Sequence, residues 1–231
     1  MTLGIMQPYF MPYIGYWQLM AAVDTYVVYD DVNYIKGGWV SRNNILLNGQ
    51  KHMFTITLNG ASPNKLFNEI TIKDDFKKFS RLIESAYRKA PYYAEVSAVL
   101  EKIYNYEDKS LGAFMLNSFQ VVLDYLEIDT KLVLSSTIEK DNSLRGKDKV
   151  KHICYLLGAD TYYNAIGGQE LYDKVEFKQY GIDLYFIKMN DIQYSQNCTD
   201  GSFEPNLSII DVLMHNGKEG IKKLLNEYTL K

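Results

Sequence analysis

The run Asp30–Asn44, DDVNYIKGGWVSRNN, concentrates polar chemistry: two adjacent carboxylates, two cations, one tryptophan and three asparagines in fifteen residues. Asp30 and Asp31 are the candidate catalytic residues, either of them a general base toward an attacking amine or hydroxyl. Neighbours on an extended chain point to opposite faces, so at most one of the two is expected at a site. Lys36 and Arg42 suit a phosphate or carboxylate, Arg42 through its planar fork. Gly37-Gly38 lets backbone N–H groups come close to an anion. Trp39 offers a stacking face to a base or sugar ring, and Asn43 and Asn44 offer donors and acceptors. The same residues also fit a solvated turn with Trp39 packed on the core, and the two readings stay open here.

Two other stretches have the same character. In Asn142–Lys149, NSLRGKDK, Arg145 with Lys147 and Lys149 can meet an anion. Gly167-Gly168 ends a strand and opens a helix. With the first turn, Gln7–Trp17, they share the strand-to-helix edge of a parallel sheet, and such turns converge where open α/β sheets bind ligands. Other chemistries are not indicated. The chain has no HExxH, no P-loop, no Gly-x-Gly-x-x-Gly and no Gly-x-Ser-x-Gly. His52, His152 and His215 do not pair at metal spacing and read as ordinary core or surface residues; Cys154 and Cys198 form neither a metal pattern nor a disulfide framework. No metal and no redox cofactor are expected.

The elements that must position these residues follow from hydrophobic period. Leu3–Met6, a helix within Pro12–Val23, and the β-branched run Thr25–Tyr29 have the size of a βαβ unit. Ile45–Leu47, Asn48-Gly49 and His52–Leu58 predict a β-hairpin with a type I′ turn. Helical spacing then runs from Asp74 through Leu126, with Ser110 as the N-cap of a third helix. Lys131–Leu134, Thr161–Ala165 and Ile182–Ile187 read as strands. Lys147–Leu157, Glu170–Gln179, Ser208–Met214 and Lys218–Tyr228 read as helices. Alternation predicts an α/β fold, a mainly parallel Rossmann-like sheet with a β-hairpin, in one domain over 1–231 with a helical insert at about 74–128.

The chain has 231 residues, 47% hydrophobic, with a net charge of -3. That length supports a sizeable core. The acidic balance argues against nucleic-acid binding by a basic surface. No apolar run approaches a membrane span and MTLGIMQPYF lacks the features of a signal peptide, so a cytoplasmic protein is expected. Tyrosine is the outlier, at 20 residues. It fits either half-buried element surface or a sugar- or base-binding cleft.

Two resemblances bear on function. Pro12…Gly15 and the strand after Asp24 are similar to the first turn of class I nucleotidylyltransferases and aminoacyl-tRNA synthetases. Tyr13 and Tyr16 stand where that motif has histidines, which counts against adenylyl or nucleotidyl transfer. More extensively, IMQPYFMPYIGYW, DDVNYIKGGWVSRNNI, LGADTYYNAIGGQELYD with the later GIDLYF, and LSIIDVLMHNG resemble the WbqC-like family over nearly the whole chain. The resemblance implies a bacterial cytoplasmic enzyme of O-antigen or other surface polysaccharide biosynthesis. The expected function is a transferase acting on a sugar precursor, with acyl or aminoacyl transfer to a nucleotide-linked amino sugar; the donor is the only cofactor this implies. The alternatives are a non-catalytic nucleotide- or sugar-binding subunit and a nucleotidyltransferase-like enzyme using Mg²⁺ at Asp30 or Asp31. The family's motifs fall on Gln7, Pro8, Pro12, Gly15, Tyr16, Asp30, Asp31, Lys36, Trp39, Arg42 and Asn43. Gln7 and Tyr16 thereby join Lys36, Trp39, Arg42, Asn43, Arg145, Gly167 and Gly168 as substrate-binding candidates.

Overall fold

The alternating apolar and helical runs assemble into helices on both faces of a six-stranded sheet in the computed structural model, which describes residues 1–198 and 201–231. The strands are β1 (Thr2–Met6), β2 (Thr25–Val28), β7 (Lys131–Leu134), β8 (Thr161–Ala165), β9 (Asp183–Met189) and β10 (Tyr228–Leu230). Their order is β10-β9-β8-β1-β2-β7. All neighbours are parallel except β10, which runs antiparallel to β9. From β1 the chain builds outward through β2 to β7. It then returns to the other side of β1 for β8 and β9. The winding therefore reverses between β1 and β8.

Strand alternation divides the core in two. Leu3 and Ile5 of β1, Val27 of β2, Tyr162 of β8 and Leu184 and Phe186 of β9 pack with Ile153, Cys154 and Phe177 from α5 (Gly146–Leu156) and α6 (Lys174–Gln179). The opposite face carries α1 (Ile14–Ala21), α4 (Leu111–Leu126) and α7 (Ile209–Leu224), joined by α2 (Lys77–Tyr87) and α3 (Tyr93–Tyr104). The segment between β2 and β7 supplies an aromatic cluster. Phe76 stacks on Phe114 and Tyr104 at 5.4 and 5.1 Å, and Phe10, from the turn after β1, plugs into it.

The hairpin forms as the sequence predicts: β3 (Arg42–Leu47) pairs antiparallel with β4 (Gln50–Thr55). Asn48 and Gly49 both take positive φ, 52° and 73°, as a type I′ turn requires. Gly49→Ala is expected to lower stability by about 1 kcal/mol in urea denaturation, with Asn48→Gly near neutral.

Several boundaries differ from the sequence expectation. β4 stops at Thr55, and Leu58 joins β5 (Leu58–Asn59), which pairs with β6 (Thr71–Ile72). Ser110 precedes α4 but its side chain does not cap it; its N–H donates to Asp108 instead, at 2.8 Å. α6 begins at Lys174 rather than Glu170, because the Asp173 side chain accepts from Glu176 N–H and sets the start there. The expected last two helices are one element interrupted at Gly217 (φ 59°, ψ -173°), a conformation essentially restricted to glycine. Its second part ends at Leu224. Tyr228–Leu230 leaves the helix to pair with the exposed edge of β9, a tertiary hydrogen-bonding demand that helical period does not encode.

Candidate functional site

The turn from β1 to α1 is fixed from several sides. Tyr16 Oη donates to Gln7 O at 2.6 Å, and Phe10 N–H to Val40 O at 2.9 Å. Met11 holds a positive φ of 46°. Its carbonyl accepts from Asn43 Nδ2 (2.8 Å) and Ser208 Oγ (2.7 Å). Pro12 O accepts from Trp17 Nε1 (3.1 Å) and Ile209 N–H (2.9 Å). A turn tied this way holds its remaining side chains in fixed positions, the preorganisation a binding site needs.

Those side chains open onto a cavity of about 520 Å³ at the carboxyl ends of β1, β8 and β9, where the winding reverses. Tyr9, Tyr13 and Trp39 give it three aromatic rings. Tyr13's ring lies over Gly15, so close that an added Cβ would meet it at 2.5 Å. The occupant therefore meets aromatic surface at the start of α1. Burial pushes both phenols up, with Tyr13's proximity adding to the effect at Tyr9, so both are donors at neutral pH. Trp39 is 48% exposed. Asn43, Asn44 and Asn206 bring amides, and Lys51 and Lys188 bring charge. Lys51 is paired with Glu204 at 2.7 Å, whereas Lys188 makes no ion pair among the described residues. The Asn44 amide has no hydrogen-bond partner in the described chain and is left to the cavity.

A second cavity of about 390 Å³ lies along the same edge beyond β2 and β7, at the start of α5. Tyr29, Asp31, Asn68, Arg145 and Lys149 line it. Its carboxylate is already matched. Asp31 bridges Lys140 (2.8 Å) and Lys149 (2.9 Å). Burial opposes its charge, but Lys140, Ser135 and Lys149 outweigh it and hold the carboxyl below its ordinary range. Lys147 pairs with Glu176 at 2.6 Å. Arg145 donates to the carbonyls of Asn142 and Leu144.

The sequence-predicted residues thus separate. Trp39 and Asn43 line the larger cavity; Asp31 and Arg145 line the smaller. Asp30 lines neither and is 1% exposed. Its carboxylate accepts from Ser135 Oγ (3.1 Å), Ser136 N–H (2.9 Å) and Ser136 Oγ (2.7 Å). The expectation that Asp30 and Asp31 point apart fails, since Ser135 Oγ reaches both. β2 has ended at Val28, so strand alternation no longer governs them. Tyr16 is in the core and braces the turn instead of lining a cavity. Gln7 accepts from Tyr16 through its carbonyl, and its side chain faces Tyr9 Oη at 3.5 Å. Arg42 donates to Gly37 O and lies 5.7 Å from the Trp39 ring, so it orients that ring. Lys36 is exposed and lines no cavity. Gly167 and Gly168 form the short helical turn after β8, and their neighbours Ala165 and Ile166 line the larger cavity. Gly168 fits under Asn164, whose Nδ2 lies 2.5 Å from where a Cβ would sit.

Sequence reasoning missed Tyr9, Tyr13, Lys51, Lys188 and Asn206 as lining residues. The two tyrosines occupy the strand-to-helix turn already singled out, so their place was available from the sequence. Lys51 and Asn44 could be placed from the hairpin register that Asn48-Gly49 dictates. Lys188 and Asn206 arrive through sheet order and the loop after β9, which local pattern does not reveal. Among the described residues, no three His, Cys, Asp or Glu side chains gather as a metal site would need. No helix is long and apolar enough to cross a membrane, among the described residues.

Comparison with known proteins adds the lineage. The chain is 28% identical over 223 residues, 94% of each chain, to a Mycobacterium tuberculosis (strain ATCC 25618 / H37Rv) protein named "Uncharacterized protein Rv1507c". No solved structure matches it significantly. The description "WbqC-like protein family" matches residues 7–223, a span that includes the tied turn, the hairpin, both cavities and all but the last residue of α7. The chain belongs to the WbqC-like protein family.

Proposed function

We propose that the protein is a transferase that modifies a nucleotide-linked amino sugar, by acyl or aminoacyl transfer, in bacterial surface polysaccharide biosynthesis. The observation that carries this is the composition of the larger cavity at the winding reversal of what would be a Rossmann-like sheet. Rings of Tyr9, Tyr13 and Trp39 suit a sugar or base face. The amides of Asn43, Asn44 and Asn206 suit ring hydroxyls, and Lys188 suits a phosphate. Gln7, Tyr16 and Arg42 support this set by holding its turn and its tryptophan. Gly167 and Gly168 directly follow its lining residues Ala165 and Ile166, and Lys36 lies outside it.

The reacting amine or hydroxyl needs a base within hydrogen-bond reach. Among the described residues, no carboxylate or histidine lines the larger cavity. Asp31 and Arg145, in the neighbouring cavity on the same edge, are the groups through which a bound donor would be activated. That same lack favours the second reading, a non-catalytic subunit that binds the nucleotide sugar for another enzyme.

Trp17 is buried and Trp39 is half-exposed, so intrinsic fluorescence reports chiefly on Trp39 when ligand arrives. UDP-N-acetylglucosamine is expected to quench it and to raise the melting temperature in proportion to the logarithm of its concentration above Kd. Trp39→Ala is expected to weaken this binding about tenfold or more, roughly 1.4 kcal/mol, with stability changed by less than about 1 kcal/mol. Mass spectrometry of UDP-glucosamine with acyl-coenzyme A, or with an amino acid and ATP, then separates the readings. A mass increase on the sugar supports the transferase; binding without turnover supports the subunit. Absence of quenching and of any melting shift up to millimolar ligand rejects both.

A further inference from the structure

The third large cavity, about 660 Å³, lies away from the sheet edge, between the hairpin turn, α2 and α7. His215 lines it and is 5% exposed at the side chain. Its Nδ1 is 2.9 Å from Asp211 O, one helical turn earlier, and 3.8 Å from the Asp211 carboxylate. A backbone carbonyl only accepts, so Nδ1 carries the hydrogen, and with Nδ1 as the protonated nitrogen of an imidazole Nε2 is the acceptor. Nε2 is buried without a hydrogen-bond partner among the described residues. An unpaired buried acceptor is costly, and native proteins seldom keep one that nothing meets.

The ring is also held in place. Asp211 is fully buried and accepts from Tyr87 Oη (2.7 Å) and Tyr194 Oη (2.8 Å), and both tyrosine rings flank His215. Nothing in the site proposed above uses this network. Around the cavity's mouth stand Arg81, Arg88 and Lys89, none in an ion pair among the described residues, where Glu84 is the one carboxylate lining the cavity. A concentration of unpaired cations in a chain of net charge -3 favours an anion there.

We infer that this cavity is a second small-molecule site, taking a phosphate-bearing, hydroxyl-bearing ligand such as a sugar phosphate. The phosphate meets Arg81, Arg88 and Lys89, and a ligand hydroxyl donates to His215 Nε2. Guanidinium groups match phosphate geometry, and the fixed imidazole acceptor selects a ligand with a donor at that depth. The inference is independent of which reading of the first cavity holds.

The test is an imidazole ¹⁵N NMR titration of the intact protein. The chain has three histidines, and His215→Gln assigns the resonance in question. Glucosamine 1-phosphate is expected to move the His215 Nε2 signal saturably, with free glucosamine at least about tenfold weaker. Arg81 is exposed on α2 and Arg88 is the exposed residue that follows it, so Arg81→Ala and Arg88→Ala fold normally. Each is expected to weaken the response by about tenfold, a typical loss for one charge-assisted contact. Three outcomes overturn the proposal. One is a His215 signal unmoved at about 10 mM glucosamine 1-phosphate, a concentration that would reveal even a millimolar site. Another is a response retained in the Arg81→Ala, Arg88→Ala double variant. The third is an equal response to glucuronate, which would remove the phosphate assignment. Quenching of Trp39 with His215 unmoved places the ligand in the first cavity, and so rejects this proposal while leaving the first intact.

Discussion

Asp31→Ala is expected to destabilise the fold by about 3–5 kcal/mol, measured by equilibrium urea denaturation at neutral pH. The reason is the company its carboxylate keeps. Lys140 and Lys149 have side chains only 1% and 5% exposed, and Asp31 is the carboxylate that pairs with both. Without it, two ammonium groups stay buried with only carbonyl acceptors: Ser135 O and Ile138 O for Lys140, and Asp31's own backbone O for Lys149. Removing one partner of a buried charge set leaves an uncompensated charge, which costs more than the pair contributes net. Exposed pairs behave differently: Lys178→Ala, which removes the exposed contact to Asp183, is expected to cost less than about 1 kcal/mol.

The same carboxylate has a pH signature. Its folded pKa lies below that of the unfolded chain. Its contribution is therefore complete above the unfolded carboxyl value, near 3.9, and is lost as pH falls through the lower folded value. The stability difference between wild type and Asp31→Asn should be constant through neutral pH and shrink only in that acid window. A difference that instead grew on acidification would contradict the assignment of charge to this carboxylate.

Trp17→Ala is expected to cost about 3–5 kcal/mol, the usual range for an aromatic removed from a packed core. Trp17 is fully buried and packs edge-on against Phe119 at 5.6 Å. It differs from an ordinary core residue because its indole N–H holds Pro12 O, part of the turn that carries Tyr9 and Tyr13 into the larger cavity. Trp17→Phe separates the two roles. It keeps most of the ring's packing and loses the hydrogen bond, at about 0.5–1.5 kcal/mol. It also leaves Trp39 as the chain's one tryptophan. Titration of that variant with UDP-N-acetylglucosamine by Trp39 fluorescence should show weaker binding than wild type. Unchanged affinity at reduced stability would mean that the turn is held sufficiently by Ile209, Ser208 and Asn43.

Much of the scaffold was legible in local pattern. β7 and β8 occupy Lys131–Leu134 and Thr161–Ala165, as their β-branched and aromatic runs predict. Asn48-Gly49 specified a hairpin because few dipeptides tolerate two positive φ angles. The convergence of strand-to-helix turns on one edge was also legible, since it follows from parallel pairing itself. Membership of the WbqC-like family rests on long stretches that local chemistry alone would not have combined.

What the sequence could not determine was which side of each polar residue met protein and which met a cavity. Asp30 and Lys149 look like surface groups in a polar run, yet Ser136 closes over one and Asp31 neutralises the other. Both pairs join the residues after β2 to the segment from β7 to α5, over one hundred residues later in sequence. Tyr16 had the motif position of a ligand residue, but helical geometry turned it into the core. His215 read as one more isolated histidine until Tyr87 and Tyr194, from two other parts of the chain, were brought to it and to Asp211 on its own helix. Period, turn chemistry and charge are properties of neighbours along the chain, and they determined the elements. Desolvation and hydrogen-bond pairing depend on neighbours in space, so only the packed sheet and helices decided which polar residues brace the fold and which face the cavities.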